Sequence, residues 1–365
     1  MAGIARIIRW TLGLTAVLLV TVVVSAAVGP VEVQPLTVLK SALNAVAVPT
    51  GIRVPAGGDG VVGAEVIPTI EFRWRRPFQF DVPATHERIV VGIRLPRVAL
   101  AAAVGFALAT AGTVMQGFFR NPLADPAIIG VSAGAAAAAV AAITVPALLP
   151  LGLRPAAFVG GLVAAGAVYL IATEDGRTPV ATLLLAGIAV QAFLGAVISY
   201  LVLHSGDSMH EAVYWLMGHL HRYSWGDVAF IAPLSALFFA VLYVYARDLN
   251  VLLLGEEEAH NLGVAVERTK RVLLAVSSLV TAAAVAVAGV IGFVGLVVPH
   301  MLRLVVGPDH RILLPTAAIG GATFLVAADT IARAGPAEVP VGIVTAAVGA
   351  PFFLYLLTAR EVHRL

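Results

Sequence analysis

The chain has no cysteine, and only 12% of its 365 residues are charged. Without thiols it has no disulfides, thiolate metal sites or cysteine nucleophile, although that absence does not fix the compartment. Ordinary soluble domains carry about 25% charged residues, so the deficit excludes that class. Lysine is nearly missing: Lys40 and Lys270 are the only two, and no G-x-x-x-x-G-K-[ST] segment exists. ATP binding through a phosphate loop is therefore excluded. The formal charge of +2 is too small to point to nucleic acid. H-E-x-x-H is missing as well, since His210-Glu211 is followed by Ala212, Val213 and Tyr214. No nucleophile–base arrangement stands out, so no catalytic residue and no metal ligand is assigned.

What the chain does have is apolar length. It is 60% hydrophobic with 35 glycines, the composition of helices packing closely in lipid. Arg6 and Arg9 precede an apolar run from Trp10 to Val28, long enough to cross a bilayer. Ser25-Ala26-Ala27 would suit a cleaved leader, but the apolar core is too long for one, which favours an uncleaved helix with its N-terminus inside. Gly29 to Arg94 reads as a long extracytoplasmic loop with prolines, Gly57-Gly58-Asp59-Gly60 and the cluster Arg73-Trp74-Arg75-Arg76. That cluster is solvated, or it touches anionic headgroups or a partner protein. Further apolar runs occur at 98–118, 127–149, 156–172, 180–203, 228–246, 272–306, 313–331 and 341–357. The run 272–306 is too long for one crossing, and Gly289, Gly292, Gly295 and Pro299 supply a break. The expectation is an all-α polytopic protein of ten transmembrane helices. An even count returns the C-terminus to the cytosol and places Arg120, Arg177, Arg247, Lys270, Arg271 and Arg311 there too, as the charge rule prefers. The expected organisation is a first helix in 1–30, an outer loop 31–94, helices two to ten in 95–357 and a cytosolic tail 358–365.

The longest charged segment between apolar neighbours in the second half is 247–271. Leu252, Leu253 and Leu254 followed by Gly255 read as a short helix with a glycine at its C-terminal end. Glu256, Glu257 and Glu258 sit where the first turn of a second helix welcomes negative charge. Ala259, Leu262 and Val266 fall at helical spacing along that second helix, and Gly263 interrupts it. Two short amphipathic helices outside the bilayer make a rigid knob, a docking surface for a separate cytosolic protein. The alternative is a solvated loop that merely joins two spans.

The remaining polar residues are few. Ion-coupled carriers place carboxylates or histidines at mid-membrane, and the middles of these spans are almost free of them. Asp329 lies near the end of its span, four residues before Arg333, so the two can pair along one helical face. Gln116 and Gln191 are the most central polar residues, either bonding between helices or lining a pathway. His204, His210, His219 and His221 cluster between the fifth and sixth spans, facing solvent or contacting a metal or haem. Ala111-Gly112 with Pro122, and Ala288-Gly289 with Pro299, share a spacing that fits an inverted repeat. A membrane body with neither an ATP site nor a buried ion site, yet with a cytosolic knob, points to a subunit driven by a separate motor.

Longer motifs carry a resemblance. Arg94-Leu95-Pro96-Arg97, Ala111-Gly112-x-x-Met115-Gln116-Gly117, Asn121-Pro122-Leu123-Ala124-Asp125-Pro126 and Gly130-Val131-Ser132-x-Gly134 resemble the permease subunits of type II ABC importers. The match continues through Tyr214-Trp215-Leu216-Met217-Gly218, Leu253-Leu254-Gly255-Glu256 and Gly292-Phe293-Val294-Gly295 to Pro299-His300. It closes with Gly307-x-Asp309-His310-Arg311, Ala328-Asp329, Glu338-x-Pro340-Val341-Gly342 and Gly349-Ala350-Pro351. That family carries iron–siderophores, haem and vitamin B12. The resemblance implies a homodimer of ten-helix subunits in the cell membrane, two cytosolic ATPase subunits and an extracytoplasmic binding protein. It implies no cofactor on this chain, with ATP and Mg on the ATPase. It makes 247–271 the coupling element, and Leu252 to Ala259 with Leu262 and Gly263 its contact residues. Arg94, Arg97 and Arg333 match outward arginines that pair with glutamates on the binding protein, which for Arg333 competes with Asp329. Asn121 and Leu123 match residues near the cytosolic gate, and Gln191 is the further path residue. The stretch 50–85 departs from the family as an insertion. The alternatives are an ion-coupled secondary carrier, and a channel or structural membrane protein.

Overall fold

The computed structural model describes residues 2–53, 71–146, 152–220, 223–335 and 337–358. In chain order the elements are α1 (Ala2–Ala27), α2 (Pro35–Ala45), β1 (Val48–Arg53), β2 (Glu71–Arg75), α3 (Ala84–Glu87), α4 (Leu95–Phe118), α5 (Val131–Thr144), α6 (Leu153–Ala172) and α7 (Val180–Leu203). They continue as α8 (Met209–Leu216), α9 (Trp225–Val244), α10 (Ala246–Leu252), α11 (Glu256–Asn261), α12 (Val266–Ala288), α13 (Val294–Val306), α14 (His310–Arg333) and α15 (Val341–Thr358). A π-helical stretch, Arg88–Arg94, links α3 to α4. The chain divides into two compact units, Ala26–Pro96 and the combination of Met1–Ser25 with Arg97–Leu365.

Among the described residues seven helices are long and apolar enough to cross a bilayer, and with three shorter apolar ones, Val131–Thr144, Val294–Val306 and Val341–Tyr355, the number matches the expected ten. The all-helical class holds, with one two-stranded antiparallel hairpin among the described residues. The short helices have a sequence cause. Pro126 and left-handed Gly130 delay α5 to Val131, so its helix is shorter than the apolar run 127–149, of which 147–151 lie outside the described residues. The run 272–306 breaks at 289–293, where Gly289 and Phe293 both take positive φ, 70° and 68°. Freed backbone at such depth needs partners inside the protein. The Ala288 carbonyl receives one from the His219 N–H at 2.7 Å. Ala111-Gly112 lie inside α4, whereas Ala288-Gly289 terminate α12.

Within the larger unit α12 and α14 are mostly buried, while α7 and α9 bury few of their residues. Burial there depends on small residues. A side chain at Gly105 would overlap the Gly321 carbonyl, one at Gly321 the Gly105 carbonyl, and Gly134 and Gly160 face each other in the same way. These close approaches replace a hydrophobic driving force that lipid does not supply. Gly321→Val is expected to destabilise the isolated chain by about 1–3 kcal/mol or more, because the overlap is with backbone. Gly195→Val, in open space on α7, serves as the near-neutral control in thermal unfolding.

The smaller unit, which takes in most of the long outer loop expected from the sequence, contains α2 and the hairpin. Pro35 at the first turn starts α2 without an N–H, at a position where that donor would have no helical partner. Buried Asn44 mimics a strand, donating to the Phe80 carbonyl at 2.9 Å and accepting from its N–H at 2.8 Å. β1 and β2 pair from Val48 with Arg75 to Arg53 with Glu71, with an irregularity between Pro49 and Gly51. Residues 54–70, the centre of the expected insertion, lie outside the described residues, as does the tail 359–365.

Candidate functional site

The 247–271 segment folds as two short helices. Gly255 separates α10 from α11 at φ 134°, a conformation L side chains rarely adopt, and a side chain there would overlap the Glu258 carboxylate. Glu256, Glu257 and Glu258 form the first turn of α11, as the charge pattern anticipated. The expected apolar stripe is divided instead. Ala259 is fully buried, Leu262 is 64% exposed, and Val266 begins α12. Leu252 is buried and Leu253 half-buried, whereas Leu254 is 64% exposed. Leu254 and Leu262 thus stand out as bare apolar side chains beside exposed Glu257, Glu258 and Gly263.

Two polar anchors hold this elbow to the helices. Asn250 donates to Asp309 at 2.7 Å, and its Oδ1 accepts from the His310 N–H at 2.8 Å, tying α10 to the start of α14. Buried Lys270 reaches Glu256 at 3.2 Å, Glu267 at 3.1 Å and the Thr178 carbonyl at 2.6 Å, tying α11 to α12 and the turn before α7. Neither anchor was visible in the sequence motifs. Asp309 caps α14 through the Arg311 N–H at 3.0 Å. The hydrogen-bonded Arg311 guanidinium, opposed by burial, holds the Asp309 carboxyl down at about 2. A depressed carboxylate stabilises the fold above its unfolded pKa, about 3.9, and that contribution fades as pH falls toward about 2. Comparing Asp309→Asn with the parent by thermal unfolding should therefore show a deficit at pH 5 that disappears near pH 2.

The expected gate residues lie in the loop after α4 and on the α7 face that bonds the end of that loop. Arg120 in a left-handed turn ends α4, and Asn121 accepts from the Leu123 N–H at 2.9 Å, fixing the loop to Gly130. Asp125 caps the next turn by accepting from the Ala127 N–H at 2.8 Å; burial pushes its carboxyl up, opposed by that bond. Gln191 on α7 donates to the Ile128 carbonyl at 2.8 Å, so loop and α7 are joined. Gln116 is fully buried and donates to the Leu296 carbonyl at 2.9 Å, an interhelical bond.

Of the arginines expected to face outward, Arg94 and Arg97 are buried and Arg333 is partly buried. In the smaller unit Arg94 is 5% exposed and donates to the carbonyls of Ala26 and Ala27, each at 2.8 Å, and to Val31. It caps the C-terminal carbonyls of α1, and Gly29 leaves room for its guanidinium. In the larger unit Arg97 is 6% exposed and grips Asp329 through Nε at 2.9 Å and Nη2 at 2.8 Å, while Nη2 also reaches Glu338 at 2.6 Å. Arg333 completes the cluster through Nε to Asp329 at 3.0 Å and Nη2 to the Ser25 hydroxyl at 2.8 Å. The local Asp329–Arg333 pairing is therefore present, and Glu338 is the member that sequence spacing did not place. Of the histidines, His204 bonds the Tyr200 carbonyl, His219 is buried, His210 is exposed and His221 lies outside the described residues. Among the described residues no three His, Asp or Glu side chains gather as metal ligands.

Residues 17–359 match the model of the FecCD transport family. Over 364 residues the chain is 56% identical to the cobalamin import system permease protein BtuC of Halobacterium salinarum, covering 99% of each. It is 46% identical over 284 residues to the hemin transport system permease protein HmuU of Yersinia pestis, covering 76% of this chain and 85% of that one. A solved chain of a metal-chelate type ABC transporter in an inward-facing conformation superposes with TM-score 0.78 at 29% identity, covering 96% of this chain and 99% of that one.

Proposed function

The chain belongs to the FecCD transport family of ABC importer permeases, and from that premise we propose that it is the membrane path for a corrinoid, driven by a separate ATPase. The observation that carries the ATP-driven reading is the elbow. A chain without a phosphate loop holds two bare leucines and two exposed glutamates on a rigid knob anchored to α12 and α14. Leu254, Leu262, Glu257 and Glu258 are its contact residues, and Leu252, Leu253, Gly255, Glu256, Ala259 and Gly263 set its shape. ATP and Mg belong to the two ATPase subunits, and a second copy of the chain completes the path. Both termini lie in the cytosol.

The corrinoid is favoured because the match to the cobalamin permease spans 99% of both chains and so takes in the 50–85 stretch, whereas the hemin permease match covers 76% of this chain. Haem and ferric siderophores are the other cargoes of this chemistry. An extracytoplasmic protein hands the cargo over, meeting the chain at Arg97 and Arg333, and at Arg94 in the smaller unit. In the undocked chain those charges are already occupied. Docking exchanges half-exposed Glu338 for an external carboxylate on Arg97. Asn121, Leu123 and Gln191 form the cytosolic gate. The path need not grip its cargo, so walls of alanine, glycine and valine suffice.

Uptake by the full complex in proteoliposomes tests this reading, with labelled cobalamin, haem and a ferric siderophore offered in parallel. ATP-dependent cobalamin uptake that survives collapse of ion gradients is the expected result. Uptake of haem alone overturns the cargo, and loss with the gradients overturns the ATP drive.

A further inference from the structure

A cavity of about 380 Å³ opens between α6, α12 and the start of α7. Its wall uses Leu162, Ala165 and Tyr169 from α6, and Arg271, Ala275 and Leu279 from α12. These positions follow helical spacing, so each helix contributes one face over about 10–12 Å at 1.5 Å per residue. The helices run in opposite directions through the bilayer. Tyr169 and Arg271 therefore mark one end, the end beside the elbow, and Leu162 and Leu279 the other. The groove is apolar along its length and cationic at its mouth. Arg271 is exposed, and its one described hydrogen bond is a 3.3 Å contact from Nε to the Glu267 carbonyl. Neighbouring Lys270 faces two carboxylates, Glu256 and Glu267, none of these three lines the groove, and neither do Glu174 and Asp175 on the turn before α7, so among the described residues Arg271 is the one charged side chain on its wall.

We propose that this groove binds one anionic phospholipid of the cytosolic leaflet, its acyl chain lying between α6 and α12 and its phosphate on Arg271. The polarity runs the way a phospholipid's does at that depth, apolar toward the membrane middle and cationic at the headgroup level. Ala275 is exposed, and together with Ala165 and Gly166 on the same wall its small side chain leaves the space that a chain of methylenes fills. Ser278, also on the wall, has its hydroxyl committed to the Leu274 carbonyl at 2.7 Å, so the floor presents no competing polar demand. The site is independent of what the protein transports. It rests on the chain spanning the membrane with Arg271 on the cytosolic side.

Native mass spectrometry of the full-length chain tests the site with phosphatidylglycerol and phosphatidylcholine of identical acyl chains. The expected result is a preference for phosphatidylglycerol that falls about fivefold in Arg271→Ala and is retained in Arg271→Lys. Ala275→Trp, which fills the floor, should lower retention of the lipid while leaving the headgroup cation in place. Equal retention of both lipids, or a preference unchanged in Arg271→Ala, overturns the proposal. Displacement by inorganic phosphate with Ala275→Trp ineffective would mean an anion site without a lipid. A cross-link between two copies through Ala275→Cys would mean that a second subunit covers the groove, and it too overturns the assignment.

Discussion

Asp329→Ala is expected to cost about 3–5 kcal/mol of stability, enough to remove most of the folded protein from a mild detergent extract. Its side chain is 1% exposed and answers two buried arginines, Arg97 at 7% and Arg333 at 11%. Removing it takes away the carboxylate that both guanidiniums share and leaves excess positive charge inside the helix bundle. Breaking a buried pair costs far more than forming it gains, because the stranded charge keeps its desolvation penalty. Glu338→Ala, with a side chain 39% exposed, should cost only about 0–1 kcal/mol. Adding Arg333→Gln to Asp329→Ala removes one of the stranded charges and should recover part of the loss. Thermal unfolding of the four proteins reads all of this. An Asp329→Ala chain as stable as the parent would show that the cluster bears no structural weight.

The second large effect is on association. Leu254→Asp combined with Leu262→Asp and Glu257→Lys should weaken ATPase binding by about 30-fold or more, the scale of a lost hot spot. Both leucines are 64% exposed and Glu257 is exposed, so the chain's own unfolding temperature should hardly move. Affinity measured between detergent-solubilised chain and ATPase separates the two quantities. Lys270→Met provides the contrast, because Lys270 is buried and joins α11 to α12 and Thr178. It should loosen the elbow and lower stability as well as affinity. Unchanged affinity in the triple variant would mean that the ATPase docks elsewhere.

Much of this protein is written in local pattern, and the rest is written in distance. Apolar runs alone give ten spans because each crossing must satisfy its backbone by itself, and the split of 272–306 follows from its glycines. The elbow is legible for the same reason: Gly255 and three glutamates signal a helix boundary whatever surrounds them. The Asp329–Arg333 pair, four residues apart, is visible in the spacing, but Arg97 lies 232 residues from Asp329 and 241 from Glu338. Nothing along the chain says that α4 meets α14 at that level; the facing glycines at 105 and 321 do so only once the helices are placed. The packing of Arg94 shows the same limit, since its burial depends on where the α1 carbonyls end. The hairpin escaped notice because Val48–Arg53 carries a proline and a glycine in place of an alternating pattern.

The most direct measurement compares labelled cobalamin accumulation by proteoliposomes holding this chain alone, the chain with its ATPase and binding protein, and the same complex carrying the triple elbow variant. The account predicts ATP-dependent accumulation only in the intact complex, with the elbow variant no better than the chain alone. Accumulation by the chain alone, or by the elbow variant at the parental rate, would contradict it.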